Sequence, residues 1–303
     1  MKKILLDTDI GSDIDDAICL AYLLAQPECE LLGITTVSGE PVKRAMIADA
    51  LCKAAQKKVP IYPGTERPLL IAQKQPVATQ ARALDRWEHE TDFPQGEAIE
   101  FLRATIRKHP GEITLLAIGP LTNIALLFSV DPEIPGLLKE LVLMCGVFTN
   151  SMAGVGPIEW NARCDPHATA IVYNAMVKSH RSVGLDVTFK VTMSIDEMKN
   201  SFKADILKPV LDFASVWAET SDRLVFHDPL AGVTIFNPDV CKFEKGNVEV
   251  ELESKTLTGI TYWNPDKAGG RNEAALEVDR ERFLNHFFSV VNAYKPGTSE
   301  TKP

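Results

Sequence analysis

The chain has 303 residues, 45% hydrophobic and 24% charged, with a net charge of −9 at pH 7, a composition able to bury a large core in one α/β domain. The negative balance argues against nucleic acid as the main partner, since a phosphate backbone would call for clustered Lys and Arg. The apolar run after Lys2 and Lys3 is too short for a signal peptide, and no window approaches the eighteen or so apolar residues of a membrane span, so a cytoplasmic protein without membrane attachment is expected.

In chain order, "KKILLD" predicts a strand, "DDAICLAYLLAQ" a helix, "ELLGITTVS" a strand, "RAMIADALCKAA" a helix and "VPIYPG" a short strand. After the irregular stretch 65–96, "EAIEFLRATIRKH", "EITLLAIG", "LTNIALLFS" and "KELVLMCGV" continue the alternation, and 148–166 breaks it again. Irregular loops of that length in a compact domain are usually functional. Beyond them come "RSVGLDVT", a helix around "ILKPVLDFASVWAE", the segment "FHDPLAGVTIF", two strands in "NVEVELE" and "GITYW", and a helix over 279–293. Such alternation predicts a mostly parallel sheet with helices on both faces, a single domain over 1–295 followed by a disordered tail, 296–303. The six cysteines form no CxxC pair and are expected to be reduced and mostly buried.

Where the first strand meets the first helix, "DTDIGSDIDDA" carries Asp7, Asp9, Asp13, Asp15 and Asp16. Helix capping can explain two of these. Asp7 and Asp9 end a buried strand, where uncompensated carboxylates are costly unless a hard, oxygen-seeking cation is present. An EF-hand fails on spacing: counted from Asp7, the twelfth position is Ile18, where an acid is required. A phosphatase of the haloacid-dehalogenase type also opens with DxD, but without further aspartates on the next helix. A metal-activated hydrolase needs adjacent carboxylates in different roles, some gripping the cation and one taking a proton from water. Three other segments suit it. "AIGPLTNIALL" can leave the carbonyl of Ile118 facing a ligand, "IEWNARCDP" sets Glu159 and Asn161 on one side if locally extended, and "FHDPLA" sets His227 beside Asp228 at a helix start.

With "ITTVSG", "LVLMCG" and "GLDVT", these segments resemble, in order and over nearly the whole chain, the inosine/uridine-preferring nucleoside hydrolase family. The resemblance implies the Rossmann-like nucleoside hydrolase fold, a Ca²⁺ at the carboxyl edge of the sheet, and hydrolysis of the N-glycosidic bond of nucleosides to ribose and free base, in nucleoside catabolism and salvage. It implies Asp9, Asp16, Asp228 and the Ile118 carbonyl as metal ligands, and Asp15 as the base that activates a metal-bound water. Glu159 and Asn161 would contact ribose hydroxyls, Met144 would form a pocket wall, and His227 would protonate the leaving base. It also implies a homo-oligomer, dimer or tetramer, whose partner is a small nucleoside. The alternatives are a hydrolase of another ribosyl compound on the same site and a non-catalytic, Ca²⁺-stabilised ribose- or nucleoside-binding protein.

The chain departs from the family pattern DxDxGxDD by two extra residues, so Asp13 could replace a ligand or serve as a helix cap. "VSGE" places Glu40 where a neutral residue is usual, to contact a hydroxyl, tune a neighbour or cap the next helix. Ala153 falls where the family has an asparagine, for which Asn150 could substitute. Trp87, His89 and Trp217 are candidates to stack on the base. His109, His167, His180 and His286 are expected to be structural or exposed.

Overall fold

A computed structural model of the chain describes residues 1–149 and 152–296. Asn150 and the proposed tail from 297 onward lie outside the described residues. Six strands come first: β1 (Lys2–Thr8), β2 (Cys29–Thr36), β3 (Ile61–Pro63), β4 (Ile113–Ala117), β5 (Glu140–Met144) and β6 (His180–Val183). Two short strands, β7 (Thr192–Ser194) and β8 (Arg223–Val225), form a separate antiparallel pair. The last three are β9 (Cys241–Val250), β10 (Thr261–Pro265) and β11 (Asn272–Val278).

The main sheet has nine strands in the order β10-β9-β11-β6-β5-β4-β1-β2-β3. From β11 to β3 neighbouring strands are parallel, while β9 runs antiparallel to both β11 and β10. β4 is buried at every position, because a parallel sheet covered on both faces has no solvent side for polar alternation. Alternate side chains go to opposite layers. Ile4 and Leu6 join one apolar cluster with the helices Asp15–Ala25, His227–Phe236 and Arg280–Ala293, whereas Leu5, Leu115 and Leu141 join another under Thr122–Val130 and Pro166–Asn174.

From β1 the chain proceeds outward to β2 and β3, then returns to β4 on the other side of β1. β1 therefore sits at a switch point, where a crevice opens beyond the carboxyl ends of the strands. The aspartate loop, residues 9–14, occupies it.

Several elements differ from the sequence expectation. "NEAALEV" forms β11, which bridges β6 and β9, although no strand was expected there. β9 begins at Cys241, well before "NVEVELE". The supposedly irregular 148–166 contains the helix Trp160–Cys164, and Pro166–Asn174 follows, each started by a carboxylate: Glu159 accepts from Asn161 N and Ala162 N, and Asp165 from Ala168 N. Among the described residues no helix is long and apolar enough to cross a membrane.

Candidate active site

A cavity of about 520 Å³ opens at this switch point, lined by Asp9, Asp13, Asp15, Asp16, Ile118, Met144, Glu159, Asn161, His227 and Asp228. The structure thus gathers residues that lie more than two hundred positions apart in the chain. Of the five clustered aspartates, only Asp7 is absent from the lining. Its Oδ1 accepts from Asn123 Nδ2 at 2.7 Å and from Thr35 Oγ1, tying β1 to β2 and to the helix Thr122–Val130. Burial pushes its carboxyl up to about 7.

Asp15, Asp16 and Asp228 are all buried, and each offers a carboxylate oxygen within 4.8 Å of the other two. Asp15 Oδ2 also accepts from Asp228 N at 3.1 Å, joining the starts of two helices, and Asp16 accepts from Thr8 Oγ1. Asp9 stands beside them with Oδ2 accepting from Gln75 Nε2. Burial, and then repulsion from neighbouring aspartates, Asp9 and Asp13 among them, raises the three clustered carboxyls well above the ordinary carboxylate range; Asp9 is raised too, through burial. Ionised together they need compensating positive charge. Arg44 supplies one, fully buried and donating to the carbonyls of Asp9, Ile10 and Gly39 and to Ser12 Oγ. One guanidinium does not balance four carboxylates, and a donor set of oxygens alone fits a hard divalent cation such as Ca²⁺ or Mg²⁺.

Gly119 matters for this approach: a Cβ there would come within 2.7 Å of Asp9 Oδ1, so only glycine lets the end of β4 lie against the aspartate loop. The Ile118 carbonyl before it lines the cavity but is already engaged, accepting from Asn161 Nδ2 at 2.8 Å; its second lone pair remains for a ligand. The same amide donates to Met144 O at 3.0 Å. Glu159 and Asn161 are not on an extended segment as the spacing suggested. Glu159 is the N-cap of a helical turn, with Oε1 accepting from Asn161 N at 2.7 Å and Oε2 from Ala162 N at 3.0 Å. This arrangement fixes both side chains before any ligand enters.

His227 is half-buried, its Nδ1 lying 2.7 Å from Thr188 Oγ1 and its ring edge-on to Phe189 at 5.1 Å. Desolvation pulls it down to about 4, so the ring is neutral at pH 7. If the Thr188 hydroxyl donates to Nδ1, the ring proton stays on Nε2.

Asp13 is solvent-exposed on the rim and accepts from Ile14 N at 2.7 Å; Ile14, not Asp13, is the helix N-cap. Glu40 is not among the lining residues. Its backbone is left-handed at φ 58°, and its carboxylate turns to Lys43 at 2.6 Å and to Ala78 N at 2.9 Å, which draws it out of the cavity. Asn150 lies outside the described residues. Of the three stacking candidates, Trp217 lines the cavity, whereas Trp87 bonds to Asp212 and His89 to the Trp87 carbonyl, and neither forms part of the lining. Sequence reasoning missed Arg44, Gln75, Thr188, Phe189 and Trp160, whose indole donates to Gln75 Oε1 at 2.7 Å.

A family model described as inosine-uridine preferring nucleoside hydrolase matches residues 4–285. A Leishmania major protein named inosine-uridine preferring nucleoside hydrolase is 31% identical, covering 93% of this chain and 95% of its own. A probable uridine nucleosidase 2 of Oryza sativa subsp. japonica is 30% identical, covering 88% and 85%. Among solved structures, the fold is shared with a purine-preferring ribonucleoside hydrolase from Gardnerella vaginalis at TM-score 0.83 and 24% identity, covering 97% of this chain and 99% of that one.

Proposed function

Because the chain belongs to the inosine-uridine preferring nucleoside hydrolase family, and is therefore an N-glycosyl hydrolase acting on ribonucleosides, we propose that it works with Ca²⁺ held by Asp9, Asp16, Asp228 and the Ile118 carbonyl, with Asp15 as the base. The observation that carries this is the buried group Asp15, Asp16 and Asp228 at the floor of a cavity that His227 also lines. When bound, Ca²⁺ supplies positive charge that keeps the carboxylates ionised and makes a nearby water more acidic. Asp15 then takes the proton of the attacking water at a carboxylate oxygen. Glu159, held by the helix cap, and Asn161, whose two amide N–H bonds go to the Ile118 and Met144 carbonyls, orient ribose hydroxyls by accepting from them at the remaining lone pairs of the carboxylate and of Asn161 Oδ1. The acidic floor favours the oxocarbenium-like charge that develops on the sugar as the C–N bond breaks. On the far side His227, neutral in the free site, has to take up a proton and become imidazolium before it can serve as the acid for the departing base, and Met144 and Trp217 exclude water.

One observation favours a different division of labour. Asp15, and not Asp9, belongs to the tight carboxylate group, so Asp15 would be the ligand and Asp9, held by Gln75, the base. Two variants separate these. Asp15→Asn should lower turnover about 10²–10⁴-fold, the usual worth of a proton transfer, with Ca²⁺ affinity by calorimetry retained. If affinity collapses in Asp15→Asn and survives in Asp9→Asn, the roles are exchanged.

Uridine and inosine, the substrates in the relatives' names, are the first to test, with ribose release measured with Ca²⁺ and after chelation. Release that persists unchanged in the chelated enzyme would sink the metal assignment. The same proposal makes the protein cytoplasmic and homo-oligomeric, with residues 1–295 as one folding unit; all six cysteines are free and buried, which suits a reducing compartment.

A further inference from the structure

A second cavity, about 510 Å³, adjoins the catalytic one and shares Gly156, Ile158 and Arg163 with it. Its charged lining is Lys74, Arg163 and Lys255, accompanied by Thr256 and Thr258, with no Asp or Glu. The three cations come from separate stretches: the long loop after β3, the helix Trp160–Cys164, and the turn between β9 and β10. Several other basic side chains of this acidic chain are matched by carboxylates. Arg107 holds Asp131 and Glu133, Arg181 holds Glu140 and Glu273, and Lys53 lies between Asp49, Glu88 and Glu90. Among the described residues Lys74, Arg163 and Lys255 make no ion pair. Three converging, unmatched cations repel one another, and an anion relieves that repulsion. Two ammonium groups, a guanidinium and the Thr256 hydroxyl are donors of the kind that a phosphate's three oxygens accept from; the Thr258 hydroxyl already donates to the Ser254 carbonyl.

Resting on the catalytic cavity as a ribosyl site, we propose that this second cavity receives a phosphate group carried on the substrate's ribose, so that the enzyme prefers nucleoside monophosphates to nucleosides. The two cavities carry opposite charge, which orients such a substrate: the ester is drawn to the basic side and the glycosidic bond is left over the aspartates. The chemistry is unchanged. Water oxygen bonds to the anomeric carbon, the C–N bond breaks, its electron pair and a proton go to the base, and ribose phosphate leaves with its ester intact.

The test compares uridine and inosine with their 5′- and 3′-monophosphates in the Ca²⁺-loaded wild type and in the double variant Lys74→Ala, Lys255→Ala, neither residue belonging to the catalytic machinery. The expected result is a kcat/KM for one monophosphate series about tenfold above the parent nucleoside, the scale of a few charge contacts from the exposed Lys74, Arg163 and Lys255. In the double variant that advantage should vanish while the parent nucleosides are turned over as before. Monophosphates no better than their parents, or an advantage that survives the double variant, overturns the proposal. Inorganic phosphate is titrated in parallel; if it binds in a Lys74- and Lys255-dependent way while neither ester gains, the ligand is free phosphate and the substrate assignment is overturned. Calorimetric binding of the same compounds judges the cavity without turnover. Monophosphate binding lost in the double variant, with no ribose or ribose phosphate released from anything, would uphold this cavity and overturn the hydrolytic function instead.

Discussion

At Arg44 a guanidinium with no solvent exposure is the clasp of the aspartate loop, reaching three carbonyls and one hydroxyl across residues 9–12 and 39. Replacing it with Met would leave those carbonyls buried and unpaired, each at about 1–3 kcal/mol. Arg44→Met should therefore lower Tm by several degrees and weaken Ca²⁺ binding, with Arg44→Lys recovering part of both. Wild-type Tm and calorimetric affinity in Arg44→Met would refute this. Nothing in the sequence announced Arg44: inside the helical pattern of "RAMIADALCKAA" a lone arginine suggests a solvated face. The aspartates were legible because carboxylates at the end of a buried strand are costly without a cation. For Glu159 and Asn161 the identities were legible and the geometry was not, since residues two apart meet one surface in a strand but not around a helix cap.

The closing helix, Arg280–Ala293, shows how an element is specified. Phe283, Phe287 and Val291 recur every four residues and are buried, with Phe283 and Phe287 packed against Phe226 at 5.4 and 5.7 Å. Asp279 starts the helix by accepting from Arg282 N at 3.0 Å. Asp279→Ala should cost about 1 kcal/mol, the typical worth of such a cap, lowering the urea midpoint while ribose release at 25 °C is unaltered. A parallel fall in activity would mean that the helix supports the site directly. Its periodicity made this helix readable from sequence. β11 was not, because "NEAALEV" is rich in Ala and Glu, which are poor strand formers. Those alanines are what its place requires: Ala274 and Ala275 face opposite apolar layers, where the strand is sandwiched between β6 and β9.

Over the whole molecule the buried acids link stability to pH. Asp7, lifted to about 7, and the cluster carboxyls, also raised, bind protons more tightly folded than unfolded, so the stability they contribute is full at low pH and is lost as pH rises through their folded values. Chelated protein should thus show a Tm that falls between pH 5 and 8, and saturating Ca²⁺ should flatten or reverse that slope. Identical slopes with and without Ca²⁺ would contradict a cation on these acids. His180 acts in the other direction: buried and lowered to about 3, it contributes stability above its unfolded value near 6.5 that is lost on further acidification. The sheet architecture was legible at this scale, since alternating strand and helix patterns leave few alternatives. The basic cavity was not, because Lys74, Arg163 and Lys255 meet only after loops from three distant stretches converge. The place of β11 in the sheet has a consequence during synthesis. β6 ends at Val183 and its outer neighbour begins at Asn272, so a growing chain keeps one parallel edge unpaired while roughly ninety codons are read, about 5–18 s at ordinary translation rates. Over about the first half of that interval Asp228 is also missing, and the nascent protein carries an exposed, adhesive strand edge before it has the full set of acids that would bind the metal.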